Sequence, residues 1–387
     1  MASVRVAVKK CESYDPHLVR KAVQEAISAL DISGTFVARA GTHLVKPNLL
    51  WPSPPSAAIT THPTVVAAVC EVIQSFGDDV AVGDSPGRGD TLRAAEASGV
   101  AAACRDLGVP VVPFNEEVSV KHPEGAVCKE FILARPVAEA ASLVNVAKMK
   151  THGFMTYTGA VKNLYGCIPG TNKAALHLRY QEPSEFCLML LDLYRLVGPA
   201  LSVLDAVVAM DGDGPSHGRP RPFGAILVST DAVALDTVAV HLAKGDPMQI
   251  PYLAAARRLG VGETYLDRIE LVGDPLESIH VEDFRFPGGG KASRLLRLGA
   301  RARKAITATP LVDPRRCSGC GQCARSCPPQ VISIVDRRAR IDRSSCIRCY
   351  CCHEMCPEGA IRLRRGGAAR FTERVLRILD RRQRDRR

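Results

Sequence analysis

The feature that most constrains this chain is a cysteine motif that occurs twice near its C-terminal end. Nine of the fifteen cysteines lie between residues 317 and 356, and eight of these form two runs with the spacing C-x2-C-x2-C-x3-C-P. The first run is Cys317, Cys320, Cys323 and Cys327, and the second is Cys346, Cys349, Cys352 and Cys356. Gaps of two and three residues are typical of metal ligands. A segment this short has too little apolar core to fold without the metal.

The doubled run has the spacing of bacterial two-cluster ferredoxins, in which the fourth cysteine of each run binds the other cluster. We therefore expect two 4Fe-4S clusters. The first would take Cys317, Cys320, Cys323 and Cys356, and the second Cys346, Cys349, Cys352 and Cys327. Two zinc knuckles are the alternative, but zinc sites use two CxxC pairs and need neither a third step nor a repeated Cys-Pro. Cys351, next to a ligand along the chain, is expected to pack rather than to bind.

Ahead of the cysteines, the sequence alternates short β-branched runs with helical patterns, which predicts parallel strands joined by helices. The expected fold class is α/β, with a largely parallel sheet and flanking helices, followed by a small α+β ferredoxin-like two-cluster domain. Strands are expected at residues 4–8, 43–46, 80–83, 109–113, 143–147, 202–209, 223–228 and 268–272. A proline and three glycines at residues 287–290 mark a break. The expected units are an α/β domain (1–286), a Gly-rich and basic helical linker (287–312), a ferredoxin domain (313–363) and a basic helical tail (364–387).

Polar side chains lie at the ends of several expected strands. Ligands bind outside the carboxyl ends of strands in open parallel sheets, so we expect a functional site there. Its catalytic candidates are Lys46, Asp84, Lys148, Lys150, His152, Lys162, Asn163 and Asp211. The glycine-containing loop at residues 157–173 suits a phosphate or carboxylate ligand, although an ordinary surface loop fits its composition equally well. A divalent cation at Asp211 and Asp213 is less favoured than a simple turn.

Charge is distributed unevenly along the chain. Residues 291–387 carry 25 basic and 8 acidic residues, a net +17, whereas residues 1–290 carry 26 and 32, a net −6. This asymmetry indicates an acidic partner for the C-terminal third, and we expect an acidic ferredoxin or flavodoxin as redox partner. Nucleic acid is less favoured because no sequence-reading motif is present. No run approaches the roughly 18 apolar residues of a membrane span, and no signal-peptide core is evident, so a cytoplasmic location is expected.

Six stretches of the front segment resemble the family known as domain of unknown function 362, whose members often carry a C-terminal ferredoxin module. They are VKPNLL (45–50), His62-Pro63, GDSPG (83–87), KMKTHGFMTYTGAVKNLYGCIPG (148–170), LDAVVAMDGDGP (204–215) and STDAVALDTVA (229–239). The family carries no agreed activity. The resemblance therefore implies an architecture and a cluster content rather than a reaction.

Two classes of function fit these features. In the first, an iron-sulfur protein relays electrons to or from a reaction or small-molecule ligand held by the front α/β domain, which would make it an oxidoreductase. In the second, a non-enzymatic binding or assembly protein uses structural or sensory clusters and a basic tail that docks a partner. The doubled motif favours the first class, because a structural role needs one cluster at most.

The eight motif cysteines lead to a prediction about iron content. Protein purified without oxygen should contain about eight iron atoms per chain, because two cubanes hold four each. The variant Cys320→Ser should lose or degrade one cluster, whereas Cys351→Ser should keep both. Metal analysis and electron paramagnetic resonance measure these outcomes, and zinc in place of iron would contradict the assignment.

Overall fold

The protein is described from a computed structural model that covers residues 3–32, 41–77, 79–281, 283–287 and 307–364. Most of the expected basic linker and nearly all of the basic tail lie outside these residues. Within the described residues, no helix has both the length and the apolar character needed to cross a membrane.

The front segment, residues 3–287, is built on a mixed sheet of eight strands. These are β1 (Val4–Lys10), β2 (His43–Pro47), β3 (Val80–Val82), β6 (Ser142–His152), β7 (Thr156–Thr158), β8 (Leu201–Asp211), β9 (Arg219–Ser229) and β10 (Ile269–Gly273); β4 (Glu117–Lys121) and β5 (Glu130–Ala134) form a separate hairpin. The spatial order in the sheet is β10-β1-β9-β8-β6-β2-β3, and β7 pairs with the end of β6. The pairs β3-β2, β2-β6, β6-β8 and β1-β10 are parallel, and β9 runs antiparallel to both β8 and β1. The expected α/β fold class is thus confirmed.

Helices cover both faces of this sheet and produce two separate apolar cores. Side chains alternate across a strand, so Val203 and Leu204 of β8 belong to opposite cores. The helices of the front segment are Pro16–Ser28, Pro63–Gln74, Thr91–Ala97, Val100–Asp106, Arg135–Glu139, Ala160–Asn163, Asn172–Arg179, Pro183–Val197, Ala232–Leu242 and Pro251–Leu259. Asp15 caps the first of them by accepting hydrogen bonds from the backbone N–H groups of His17 and Leu18, as its position before Pro16 suggests.

One expected strand does not form. Residues 109–113 make a single bridge, between Val82 and Val111, instead of a ladder. Pro110 and Pro113 flank that bridge and have no N–H group to donate to a neighbouring strand.

The cysteine module, residues 307–364, is a small α+β unit. Strand β11 (Thr309–Val312) pairs with β14 (Ile361–Arg364), and β12 (Ile332–Val335) pairs with β13 (Arg338–Ile341), both antiparallel. Two short helices, Gln322–Arg325 and Cys351–Glu354, begin next to ligand cysteines of the two runs. Four of the motif cysteines take part in its small apolar cluster, beside Ile332, Ala339 and Ile361.

A buried ionic cluster joins the middle of the front sheet to its helices. The ammonium group of Lys148 lies 2.9 Å from a carboxylate oxygen of Asp205 and 2.6 Å from the hydroxyl oxygen of Tyr14. Asp205 also accepts hydrogen bonds from the Tyr14 hydroxyl and from the backbone N–H of His62, whose ring stacks on Tyr14 at 3.6 Å. Burial lowers the pKa of Lys148, and Asp205 partly opposes that shift.

Removing the Lys148 charge should therefore destabilise the front segment. The variant Lys148→Met leaves Asp205 buried without a cation, and breaking a buried pair in this way costs about 3–5 kcal/mol. Urea unfolding followed by far-ultraviolet circular dichroism measures the loss. Lys121→Met, on the exposed strand β4, is the matched control and should change stability by less than about 0.5 kcal/mol. Equal effects of the two variants would contradict a role for the pair.

Candidate functional site

A cavity of about 430 Å³ lies between the front segment and the cysteine module. We call it the shared cavity, since both parts of the chain form its wall. The front segment contributes Asn48, Leu50, residues 84–89, Lys150, His152, Thr158, Lys162, Asn163, Tyr165, Gly166, Gly170, Thr171, Lys173, Ala174, His177 and Pro215. The module contributes Gln322, Arg325, Ser326, Cys351, Glu354 and Met355. Five of the eight candidate residues, Asp84, Lys150, His152, Lys162 and Asn163, therefore line one cavity.

A sixth candidate, Lys46, lies directly beneath this wall. Its ammonium group is 2.7 Å from a carboxylate oxygen of Asp84 and donates a 2.7 Å hydrogen bond to the carbonyl oxygen of Asn163. The other oxygen of Asp84 accepts a hydrogen bond from the backbone N–H of Leu49 at 2.7 Å. Gly166 packs against this pair so closely that a Cβ atom there would lie 2.1 Å from Asp84, so only glycine fits. The pair thus ties the ends of β2 and β3 to the loop that follows Asn163.

Three amide side chains extend this floor as a chain of hydrogen bonds. The amide nitrogen of Asn48 donates to Asn163 at 3.0 Å, and that of Asn163 donates to Asn145 at 2.8 Å. Asn145 in turn donates to the carbonyl oxygen of Ala160. Because each amide both donates and accepts, the orientation of Asn163 toward the cavity is fixed.

Asp236, on the helix Ala232–Leu242, holds the start of the short helix Ala160–Asn163 in place. Its carboxylate accepts hydrogen bonds from the backbone N–H groups of Ala160 and Val161 and from the hydroxyl of Tyr252. Burial raises the pKa of Asp236 to about 7, against the effect of these donors. Asp236 belongs to the 229–239 stretch and positions the loop without lining the shared cavity.

Three lysines face the shared cavity and have no carboxylate partner among the described residues: Lys150, Lys162 and Lys173. Lys150 donates to the side-chain oxygen of Asn48 at 2.7 Å and to the carbonyl of Ile59 at 2.6 Å, and Lys173 donates to the hydroxyl of Ser85 at 2.6 Å. Burial is the main cause that lowers the pKa of each lysine. The pKa of Lys150 lies well below its ordinary value, that of Lys173 is about 7, and that of Lys162 is lower than usual.

The module is held against the front segment by a buried contact between His152 and Glu354. Their side-chain atoms Nε2 and Oε1 lie 3.0 Å apart. The other ring nitrogen of His152 accepts hydrogen bonds from the backbone N–H groups of Phe154 and Met155, which places the imidazole proton on the side of Glu354. Burial lowers the pKa of His152 to about 4, so its ring is neutral at pH 7.

Further contacts surround this one. The Ser216 hydroxyl donates to the backbone carbonyl of Glu354, and Trp51 packs in one apolar cluster with Ile59, Met210 and Met355. Gly87 of the GDSPG stretch lies so close to Met355 that a Cβ atom there would be 2.8 Å from its terminal methyl group. The front segment and the module therefore pack against each other through a buried surface that includes these contacts.

The thiols of the module are grouped as the spacing predicts. One small cavity is lined by Cys317, Cys320, Cys323 and Cys356, the four residues assigned to the first cluster. Backbone N–H groups of Ala339 and Ala360 donate to the sulfurs of Cys317 and Cys356 at 3.4 and 3.3 Å. Gly319, which has a φ of +73°, packs against the backbone of Arg337 and gives the first run its tight turn. Four thiols with backbone donors around one cavity are the donor set that a 4Fe-4S cubane takes, so these residues fit such a group.

The second set of thiols lies on the side of the module that meets the shared cavity. Burial raises the pKa of Cys352, and the neighbouring thiols Cys349, Cys346, Cys327 and Cys323 raise it further. Cys351 lines the shared cavity and forms a side-chain hydrogen bond with Cys349. The sequence-based expectation that Cys351 packs rather than binds a cluster therefore stays a prediction.

Two of the eight candidates do not reach the shared cavity. Ala147 and Met149 both point into the core of one sheet face, so Lys148 between them points to the opposite face, where it pairs with Asp205. Asp211 is fully buried beside Arg219, its register partner on β9, with two side-chain distances of 3.1 Å, and it also accepts from the backbone N–H of Arg285. Its oxygens are thus taken by arginine and backbone donors. Among the described residues, no group of three or more His, Cys, Asp or Glu side chains is placed to hold a single metal ion.

Several polar residues of the wall were not among the catalytic candidates, including Ser85, Lys173, His177 and Glu354. Ser85 belongs to the GDSPG stretch and Lys173 to the glycine-containing loop, so both had a signal in the sequence. His177 lies on the following helix, and Glu354 reaches the site only because the module docks there.

Comparisons with known proteins agree with this two-part description. The family model described as domain of unknown function (DUF362) matches residues 44–241, and that of a 4Fe-4S dicluster domain matches residues 309–357. A thylakoid-associated protein of Synechocystis sp. is 32% identical over 283 residues, which are 73% of this chain and 87% of that protein. One component of an ion-translocating oxidoreductase complex of Methanosarcina acetivorans is 40% identical over 48 residues, 12% of this chain and 18% of that protein. The solved lactate racemase apoprotein of Thermoanaerobacterium thermosaccharolyticum aligns over 62% of this chain and 57% of its own, with 14% identity and a TM-score of 0.40.

The contact between His152 and Glu354 leads to a prediction about docking. The variant Glu354→Ala should loosen the module, because it leaves the buried His152 without its acceptor. Trp51 is the only tryptophan and is 5% exposed, so its fluorescence emission should shift to longer wavelength. Glu354→Gln keeps an acceptor and should shift less, and the exposed Glu358→Ala should not shift it. Unchanged emission in Glu354→Ala, with iron content retained, would contradict a docking role.

Proposed function

This chain belongs to the family described as domain of unknown function 362 and is an iron-sulfur protein, and from this premise we propose that it is an electron-transfer protein carrying two 4Fe-4S clusters. Its redox chemistry would act on a small molecule held in the shared cavity. The observation that carries the proposal is the wall of that cavity, which combines strand-end polar groups of the front segment with residues of the module beside the second thiol set.

The two thiol sets differ in their exposure to solvent. This difference supports a direction for electron transfer across the module. Cys320 of the first set is exposed, whereas each thiol of the second set is buried or half-buried. Arginines 315, 325, 337 and 338 are exposed on the module. We propose that the first set faces an acidic redox carrier, such as a ferredoxin or flavodoxin, and that the second faces the ligand.

When bound, 4Fe-4S clusters supply one-electron transfer. The residues of the shared cavity would bind and orient the ligand and provide protons. Lys173, with a pKa of about 7, exists in both protonation states near neutral pH and can donate or accept a proton. Tyr165, His177 and Met355 cover the cavity and limit the access of water to the ligand.

The proposal is tested with the full chain, purified without oxygen and reduced with dithionite. Two reducible 4Fe-4S signals should appear by electron paramagnetic resonance. Reoxidation should become faster when a deproteinised extract of small cellular metabolites is added. This acceleration should be lost in Lys162→Gln, a substitution inside the shared cavity, and kept in Lys121→Gln on the exposed strand β4.

Two outcomes would overturn the proposal. One is the absence of reversible reduction in protein that contains its full iron content. The other is a reoxidation rate that is equal with and without small molecules, in the original chain and in both variants. Either result would favour the non-enzymatic alternative, with structural or sensory clusters.

A further inference from the structure

The shared cavity contains more positive than negative charge among its described residues. Its two carboxylates are already engaged, Asp84 by Lys46 and Glu354 by His152. The cations Lys150, Lys162 and Lys173 have no carboxylate within ion-pair distance in the described part of the chain, and Arg88 and Arg325 also lie in the wall. Lys150 is fully buried, and Lys162 and Lys173 are half-buried. A buried cation normally has an anionic partner, so this imbalance points to a ligand.

The partners of these lysines are neutral oxygens. Lys150 bonds to an amide oxygen and a carbonyl, and Lys173 to a hydroxyl, while Lys162 has no hydrogen bond within the described residues. Neutral acceptors compensate the burial of an ammonium group only in part. Burial, which these acceptors offset only in part, lowers the pKa of all three lysines.

His177 supplies a second, independent observation. It lines the shared cavity, is only 7% exposed, and its Nδ1 atom has no hydrogen-bond partner among the described residues. Burial lowers the pKa of His177 to about 3, so the ring is neutral at pH 7. Buried polar atoms without a partner are rare in folded proteins, so the ring of His177 has a polar partner still to be supplied at this wall.

The size and lining of the shared cavity indicate what kind of anion it takes. A volume of about 430 Å³ is within the range of small-molecule sites and far exceeds a single inorganic ion. Apolar wall atoms come from Leu50, Pro86, Tyr165, Pro215 and Met355. We propose that the shared cavity binds an organic anion bearing a phosphate or two carboxylates, with its charged group on Lys150, Lys162 and Lys173. This inference rests on the proposed function and names the class of its ligand.

Binding of such an anion should be accompanied by proton uptake. A negative group beside Lys173 favours the charged ammonium form and raises its pKa from about 7. The charged and titratable groups that act on Lys173 are Asp84, Lys46 and Cys167. Lys46 and Asp84 bind each other and Cys167 is a buried thiol, so Lys173, together with the buried Lys150, is expected to take up protons near pH 8.

The test is isothermal titration calorimetry of the full chain with its clusters oxidised and no electron donor present. Inorganic phosphate and malonate are the two probes, at pH 8, in two buffers that differ in ionisation enthalpy. We expect saturable binding of at least one probe at millimolar concentration, with proton uptake. Lys173→Gln should weaken binding about tenfold to a hundredfold, as expected for one charge-assisted hydrogen bond, and should reduce the proton uptake.

The controls separate the possible results. Lys162→Gln, which removes no hydrogen bond of the described fold, should also weaken binding, whereas Lys121→Gln should not. Preference for one probe distinguishes a phosphate from a dicarboxylate ligand. Binding of neither probe, or equal binding by all variants, would overturn the inference and leave the lysines as counter-charges for the thiolates. Since no electrons are transferred in this experiment, an anion that binds without being reduced would contradict only the proposed function.

Discussion

The buried ion pair of Lys46 and Asp84 is the interaction on which the rest of the site depends. It joins the ends of two neighbouring parallel strands to the loop after Asn163, and that loop carries the residues that face the module. Buried ion pairs add little net stability compared with apolar packing, but breaking one is costly. The pair therefore fixes one arrangement of the strand ends, and the close approach of Gly166 shows how little freedom remains around it.

The parts of this molecule that could be predicted are those determined by local sequence. The cysteine spacing predicts the thiol grouping, because ligands a few residues apart must meet at one point. The helices Pro183–Val197 and Pro251–Leu259 follow from proline starts and glycine ends. Strand ends marked by Lys46, Asp84 and Lys150 also meet where parallel topology requires.

The parts that could not be predicted depend on register and docking. Lys148 and Lys150 look equivalent in sequence, but the register between β6 and β8 shifts between them, and only Lys150 reaches the shared cavity. Asp211 resembles a metal ligand until its pairing opposite Arg219 is known. Nothing in the sequence of a ferredoxin motif marks Glu354 as a functional residue. It becomes part of the site through the contact with His152, which lies about two hundred residues away in the chain.

The module does more than carry thiols, since Gln322, Arg325, Glu354 and Met355 form one wall of the shared cavity. A ferredoxin-type module depends on its metal for folding. Iron starvation would then remove that wall together with the redox centres, and the cavity would become an open groove on the front segment. For the proposed ligand, the supply of iron in the cell would then set the affinity, and the ligand would be retained only when the clusters that transfer electrons are present.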